Sequence, residues 1–166
     1  MFNLKSLFYP RYNIQLGRVY HFKIRNLAFG PLKKETLYSI FRDGRACSKL
    51  VENCLTQWFP QLKMASSSNS SGFDHHWGSR KVELKSFTKS GCNFLPSYMV
   101  GSGRTADPEK ASEELTADLL CISDITEFPK ISVRFVDHAW AYKKYPKGKI
   151  KAKEGADFFK KTQDEA

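Results

Sequence analysis

The chain has 166 residues, 41% of them hydrophobic and 14% aromatic, which is enough for one domain with its own core and too apolar for a disordered chain. Its 27 Lys and Arg residues outnumber its 17 Asp and Glu residues, giving a net charge of +10. No apolar run reaches the length of a membrane span, and Lys5, Pro10 and Arg11 interrupt the apolar start, so neither a membrane partner nor a secretory signal is expected. The four cysteines form no C-x-x-C pair and no zinc spacing with a histidine, which predicts free thiols in a reducing compartment and a cytoplasmic location.

The positive charge is concentrated near the two ends of the chain. Residues 1–34 contain seven Lys or Arg and no acid, and residues 143–153 contain six Lys. Cations at this density are typical of proteins that hold the phosphates of a nucleic acid. A basic structural protein has the same charge balance, so charge by itself leaves both classes open.

Residues 18–27 alternate in a way that predicts the first strand. One face of it is apolar and the other is mostly basic: Tyr20, Phe22 and Ile24 against Val19, His21, Lys23 and Arg25. The basic stripe fits either a phosphate backbone or the wet side of a peripheral sheet.

Two helices are predicted next, one from about residue 34 and one over residues 45–59, with Asp43 and Gly44 as the interruption. In the second helix the large apolar side chains fall near helical spacing, and Pro60 ends it. Glu52 lies in its middle among apolar positions.

A short strand at residues 62–64 and a Ser-rich loop lead to Asp74, and a strand is then predicted over residues 82–88. Alternation along this strand places Glu83 and Lys85 on one face, side by side, and leaves Val82 and Leu84 for packing. With Asp74 from a neighbouring turn or strand, two carboxylates and one ammonium occupy a small volume. Carboxylates in such proximity need a cation between them, and hard oxygen ligands suit Mg²⁺.

The segment from residue 89 to residue 104 is too rich in Gly and Pro for regular structure, and it contains side chains able to bind base edges or phosphates. The candidate DNA-binding residues are those of this segment together with two lysines further on: Lys89, Asn93, Ser97, Tyr98, Arg104, Lys143 and Lys144.

The remaining elements are a helix over residues 107–116, capped by Asp107, and strands over residues 118–125 and 130–142. Strands flanked by helices predict an α/β sandwich with a mixed sheet. Residues 143–153 carry charge without a core pattern, which fits a DNA-wrapping arm or a solvated extension, and a short helix follows over residues 152–161.

The Asp74…Glu83-x-Lys85 constellation resembles the catalytic signature of the PD-(D/E)xK nuclease superfamily, with Phe73 in the place of the proline that gives the family its name. The resemblance covers about residues 45–142. It implies a restriction-endonuclease-like α/β sandwich with a central mixed sheet flanked by helices. It divides a single nuclease domain, residues 1–166, into a basic N-terminal segment (1–44), a catalytic core (45–142) and a Lys-rich C-terminal extension (143–166).

The resemblance also implies roles for individual residues. Asp74 and Glu83 are then metal ligands, with the Leu84 carbonyl as a third, and Lys85 orients the attacking water and helps to deprotonate it. Glu52 takes the place of the helix glutamate that family members bring toward the metal. The implied cofactor is Mg²⁺, with Mn²⁺ as a substitute.

The function expected on this basis is a Mg²⁺-dependent, sequence-specific endonuclease of restriction type that cuts double-stranded DNA, leaves 5′-phosphates and acts as a homodimer. A structure-specific, homing or repair nuclease of the same superfamily is an alternative. A non-catalytic basic module that binds nucleic acid is a further alternative, from a different functional class.

Overall fold

A mixed β-sheet forms the centre of the protein in the computed structural model, which describes residues 11–65, 73–94 and 117–160. Eight strands occur among these described residues: β1 (Val19–Lys23), β2 (Leu62–Met64), β3 (His75–Trp77), β4 (Arg80–Phe87), β5 (Cys92–Asn93), β6 (Leu119–Asp124), β7 (Lys130–Asp137) and β8 (Lys149–Ile150). The same residues form the helices α1 (Lys34–Phe41), α2 (Gly44–Trp58), α3 (His138–Lys144) and α4 (Gly155–Phe158), with a 3₁₀ turn at Ala152–Glu154 before α4.

Six of the strands form the sheet in the order β1-β7-β6-β4-β3-β2, and β5 pairs with β8 in a separate two-stranded ribbon. All neighbours in the large sheet are antiparallel except β4 and β6, which are parallel. Two parallel strands need a crossover connection, and the one between β4 and β6 includes residues 95–116, which the structure does not describe. The helix predicted over residues 107–116 falls within that connection and lies outside the described residues.

One face of the sheet, which we call the first face, is covered by α1 and α2. The apolar stripe of α2, including Val51 and Leu55, packs in one cluster with Val82 and Leu84 of β4. The Trp58 ring stacks on Phe22 of β1 with 3.9 Å between ring centroids. Burial of such side chains contributes about 1.5–3 kcal/mol each, so α2 is the main element that stabilises this face.

The opposite face, which we call the second face, has its own cluster of buried side chains. Its members come from β4, β6 and β7 and from the short elements that cover them: Phe87, Cys92, Phe94, Leu120, Ile122, Val136, Ala141, Tyr145, Ile150 and Phe158. α3, the ribbon and α4 therefore cover the second face. Glu83 and Lys85 also lie on it, because they alternate with Val82 and Leu84 along β4.

Most predicted elements on the first face are confirmed with shifts of a few residues at their ends. The break between the two helices occurs where the sequence placed it. The Asp43 carboxylate accepts hydrogen bonds from the backbone N–H groups of Arg45 and Ala46 and so caps α2. The α/β class with a mixed sheet is confirmed as well.

The strand predicted over residues 130–142 is wrong beyond Asp137. The Asp137 carboxylate accepts from the N–H groups of Ala139 and Trp140 and caps α3, which replaces the second half of the predicted strand. A capping carboxylate satisfies orphan donors of the first helical turn, and this local bond outweighs the strand-like composition of the run.

The C-terminal segment is neither an arm nor a solvated extension over its described residues, 143–160. Ile150 and Phe158 are fully buried, and Tyr145 is buried beside them. Gly155 lies against the Phe87 ring so closely that a Cβ on it would collide with the ring. The buried residues are separated by exposed lysines, and for that reason the sequence shows no core pattern there.

All four cysteines are free thiols, as predicted. Within the described part of the chain, no helix is long and apolar enough to span a membrane.

Candidate functional site

The β3–β4 hairpin places Asp74 beside β4. Its two-residue turn begins with Gly78, at a φ of +61° that favours glycine. Antiparallel pairing continues one residue beyond β3, since the Asp74 N–H donates to the Val82 carbonyl at 2.9 Å. The Asp74 carboxylate then accepts from the Leu84 N–H at 2.7 Å. The side chain of Asp74, the residue just before β3, thus binds a backbone N–H group of β4 that β3 is too short to reach.

Glu83 and Lys85 lie side by side on the second face, as their spacing predicted. The Lys85 ammonium is 2.6 Å from Oε1 of Glu83, and the two side chains are only 9–10% exposed. The other carboxylate oxygen of Glu83, Oε2, is buried and has no hydrogen-bond partner. Burial raises the pKa of Glu83, the Lys85 charge and hydrogen bond oppose that rise, and the charge of Asp74 adds to it. Asp74 is therefore near enough to Glu83 for the two carboxylates to repel each other.

The Leu84 carbonyl faces the same side of β4 as Asp74. The N–H and C=O of one strand residue point to the same neighbouring strand, and the Leu84 N–H points to Asp74. The Phe87 carbonyl, three residues on, points the other way and accepts from Ile125 after β6. The three ligands expected for Mg²⁺, from Asp74, Glu83 and Leu84, are thus on adjoining parts of β4 and its flank.

The donor set fits Mg²⁺ in its chemistry. Among the described residues no group of three or more His, Cys, Asp or Glu side chains is placed to hold a metal ion. Mg²⁺ does not need one, because it is usually bound through one or two carboxylates together with waters and substrate phosphates. The unpartnered Oε2 of Glu83 is the kind of atom that such a cation would satisfy.

Glu52 is buried, and its role at the metal site stays a prediction. It lies on α2, which covers the first face, and its carboxylate binds the Lys49 ammonium at 2.7 Å. The pKa of Lys49 is raised mainly by this hydrogen bond and also by the charge of Asp74. Glu52 is consequently connected to Asp74 through Lys49, while its backbone carbonyl accepts from the buried His75 ring at 3.1 Å.

The predicted DNA-binding residues that the structure describes are all exposed, namely Lys89, Asn93, Lys143 and Lys144. Lys89 lies in the turn after β4, and Asn93 pairs with Lys149 in the ribbon. Lys143 and Lys144 end α3. The other three, Ser97, Tyr98 and Arg104, lie outside the described residues.

Two residues of α3 were not predicted: Tyr142, on which the charge of Glu83 acts, and His138, whose ring is 4.7 Å from that of Tyr142 between centroids. Burial raises the pKa of Tyr142 to about 12, and the Glu83 charge contributes to the rise, so the phenol lies close to that carboxylate. The Tyr142 hydroxyl and Nε2 of His138 are buried without hydrogen-bond partners. Their four-residue spacing puts both side chains on one side of a helix. The sequence predicts a strand for this run, and in a strand the spacing does not indicate a shared site.

Comparison of the chain with protein-family models, with curated proteins and with solved structures gave no significant match.

Proposed function

We propose that this protein is a Mg²⁺-dependent deoxyribonuclease that hydrolyses phosphodiester bonds at the Asp74, Glu83 and Lys85 site. One observation carries the proposal: Glu83 and Lys85 form a buried ion pair beside Asp74, and Glu83 keeps one carboxylate oxygen without a partner. A buried ion pair is costly to desolvate and is weak support for a purely structural role. Buried charged groups with perturbed pKa values are typical of functional sites.

Asp74, Glu83 and the Leu84 carbonyl are the groups that would hold the cation. Bound Mg²⁺ supplies positive charge that stabilises the negative transition state and acidifies water. Lys85 is a charged ammonium held at 2.6 Å by Glu83, so its part is to orient the attacking water and stabilise the negative charge that water gains on losing a proton.

The reaction adds one water across the phosphodiester. The water oxygen bonds to phosphorus, the bond between phosphorus and the 3′ oxygen breaks, and the leaving 3′ oxygen takes up a proton as the attacking water gives one up. The products are a 3′-hydroxyl and a 5′-phosphate. Nucleophile and leaving group are both oxygen, so the step is a hydrolysis that requires no oxidant or further co-substrate.

The substrate we propose is double-stranded DNA, cut at specific sequences by a homodimer. Exposed lysines on α3 and in the ribbon support a polyanionic substrate. One active centre per chain and two strands to cut call for two copies. Discrete fragments from plasmid DNA support the restriction-type activity, whereas cutting confined to branched DNA would favour a structure-specific nuclease.

The test is cleavage of plasmid DNA by wild type, Asp74→Asn and Glu83→Gln, with and without Mg²⁺. Both variants are expected to lose about a hundredfold or more in cleavage rate, because metal-dependent stabilisation of the transition state is worth several kcal/mol. Binding to the same DNA in Ca²⁺, measured by fluorescence anisotropy, is expected to persist, since removal of a negative charge does not weaken attraction to phosphate. Glu127→Gln, the same change at an exposed position of the β6–β7 connection, is the control and should cleave normally.

Two results would contradict the proposal. One is cleavage by either site variant at a rate near that of wild type. The other is wild-type protein that binds DNA and does not cut it in Mg²⁺, which would identify a basic nucleic-acid-binding module instead.

A further inference from the structure

Three buried polar atoms without hydrogen-bond partners belong to residues of the second face and of α3, which covers it. They are Oε2 of Glu83, the hydroxyl of Tyr142 and Nε2 of His138. A buried polar group without a partner costs about 1–3 kcal/mol, so native proteins keep few of them in their cores. The His138 and Tyr142 rings are 4.7 Å apart between centroids, and the charge of Glu83 acts on Tyr142, which together indicate a site that a polar ligand completes.

The fold explains why α3 faces Glu83. Across the sheet, Glu83 of β4 is in register with Leu120 of β6, which is in register with Val136 of β7. β7 ends one residue after Val136, and α3 starts immediately and packs on the second face through Ala141. The helix therefore begins in the row of residues that contains Glu83.

The two α3 side chains are held in fixed positions. His138 and Tyr142 are one helical turn apart, and their rings are 4.7 Å apart between centroids. On its other sides the Tyr142 ring packs against Phe94, at 5.6 Å between centroids, and against Gly148, where a Cβ would meet it at 3.5 Å. Orientation by packing is what a binding residue needs, since little side-chain freedom is lost when the ligand arrives.

The chemistry of the three atoms selects the ligand. A tyrosine hydroxyl is a hydrogen-bond donor, and an imidazole can donate from Nε2. A donor on Tyr142 beside the Glu83 carboxylate, with a cation expected between the carboxylates, suits the oxygens of a bound phosphate. An apolar ligand would leave all of these groups without partners.

We propose that Tyr142 and His138 belong to the same site and donate hydrogen bonds to the non-bridging oxygens of the scissile phosphate. This inference rests on the proposed nuclease function. The hydroxyl of Tyr142 and the imidazole of His138 then supply charge stabilisation from the α3 side, opposite Asp74 and the Leu84 carbonyl.

The test compares Tyr142→Phe with Tyr145→Phe under single-turnover conditions in Mg²⁺. Tyr145 is buried in the same cluster at the end of α3, but the charges that act on it are those of Glu154, Arg134 and Asp157, not that of Glu83. Tyr142→Phe is expected to lower the cleavage rate about tenfold to a hundredfold, the range for loss of a hydrogen bond to a charged group. Affinity for DNA in Ca²⁺ and the Tm should stay close to wild type, because the lost hydroxyl has no partner in the free protein. Tyr145→Phe should cleave as wild type does.

A second readout separates contact with phosphate from a structural role. A phosphorothioate placed at the mapped cleavage position slows wild type, in part because sulfur is a weaker hydrogen-bond acceptor than oxygen. If Tyr142 donates to the replaced oxygen, the slowing is smaller in Tyr142→Phe, for one of the two stereoisomers. A change that merely loosens the fold slows the normal and the modified substrate alike.

The outcomes distinguish this inference from the function beneath it. Suppose that wild type cleaves DNA. If Tyr142→Phe then cleaves as fast as wild type, or if Tyr145→Phe is impaired as much as Tyr142→Phe, the inference is overturned and the nuclease function stands. Wild type that does not cleave refutes the nuclease and the inference together. If Tyr142→Phe fails to fold, His138→Gln is judged by the same rate and phosphorothioate criteria.

Discussion

The two faces of the sheet differ along a single strand. On the first face β4 presents Val82 and Leu84 to the apolar stripe of α2. On the second face the alternating positions are Glu83 and Lys85, which are nearly as buried and are charged. The same backbone thus supports a core layer on one side and an ion pair on the other.

Polar atoms are also distributed differently on the two faces. The first face holds unpartnered polar atoms on His75 and Ser123, which lie on separate strands. On the second face the unpartnered atoms belong to Glu83, Tyr142 and His138, which are neighbours, and one of them is a carboxylate. The first face is therefore organised for stability, and the second face tolerates a cost in stability at one place. Such local costs are typical of functional sites.

The comparison predicts that the ion pair is replaceable as a unit and not one residue at a time. Lys85→Met leaves the Glu83 carboxylate buried without the ammonium at Oε1, and we expect the free energy of unfolding to fall by about 3–5 kcal/mol. Glu83→Leu combined with Lys85→Met removes both charges, and its stability should return to within about 1 kcal/mol of wild type or exceed it. Urea unfolding in the presence of EDTA measures all three proteins.

The pH dependence of Lys85→Met has a defined sign. Burial raises the pKa of Glu83 above its ordinary 4.5, and loss of Lys85 removes the main opposing influence. The folded state then binds the proton more tightly than the unfolded state does. The contribution of protonated Glu83 to the stability of Lys85→Met is therefore fully present below the pKa that Glu83 has in the unfolded chain. It is lost as the pH rises through the pKa that Glu83 has in the folded variant.

On the first face, Leu55→Ala should lower the free energy of unfolding by about 2–5 kcal/mol without this pH dependence. A double variant no more stable than Lys85→Met would show that the two charges do not act as a pair.

Much of the first face could be predicted from the sequence because its signals are local. An apolar helical stripe and the Asp43 cap each act over a few residues and indicated α2. The alternation along β4 is equally local, and it also indicated the side-by-side placement of Glu83 and Lys85 on the second face. The role of Glu52 depends on where α2 lies relative to β4, and a single sequence does not contain the phase of a helix relative to a distant strand. α2 covers the first face, where Lys49 binds Glu52 and is influenced by Asp74, and the role of Glu52 stays a prediction.

The second face could not be predicted for a different reason. Its core is completed by Tyr145, Ile150 and Phe158, which occur singly among lysines and have no common period. The strand-forming residues before α3 predict that the strand continues through it. The one local signal for a helix is the Asp137 carboxylate, which caps α3. With α3 assigned as a strand, the four-residue spacing of His138 and Tyr142 carried no meaning.

Thiol reactivity will compare the stability of the two faces directly. Cys121 lies in the buried cluster of the first face and Cys92 in the buried cluster of the second face. Burial raises the pKa of both thiols, that of Cys92 to about 12, so labelling reports transient opening and not reaction of the closed state. The second face is covered only by short elements, namely the seven-residue α3, a ribbon of two-residue strands and the four-residue α4, which predicts easier local opening.

Labelling with a thiol reagent in dilute urea, followed by mass spectrometry of peptides, gives the rate at each cysteine. We expect Cys92 to react about tenfold faster than Cys121, equivalent to about 1.4 kcal/mol less protection. Full unfolding should equalise the two rates, which serves as the control. Equal rates in dilute urea would mean that the two faces open as one cooperative unit.

The smallest effect concerns which face meets DNA, and two matched pairs of lysines decide it. Lys143 and Lys144 end α3 on the second face, and Lys33 and Lys34 lie at the start of α1 on the first face. All four are exposed, so replacing either pair with Ala removes the same charge with little effect on the core. If the second face meets DNA, loss of Lys143 and Lys144 should reduce the slope of log affinity against log salt by up to about 1.8, from about 0.9 per phosphate contact. Loss of Lys33 and Lys34 should leave the slope unchanged, because charges outside the interface release no counterions on binding.

Anisotropy titrations with a DNA duplex in Ca²⁺ at several salt concentrations give the slope for each variant. An equal reduction of the slope in the two variants would contradict a DNA-binding surface confined to the face that carries Glu83 and Lys85.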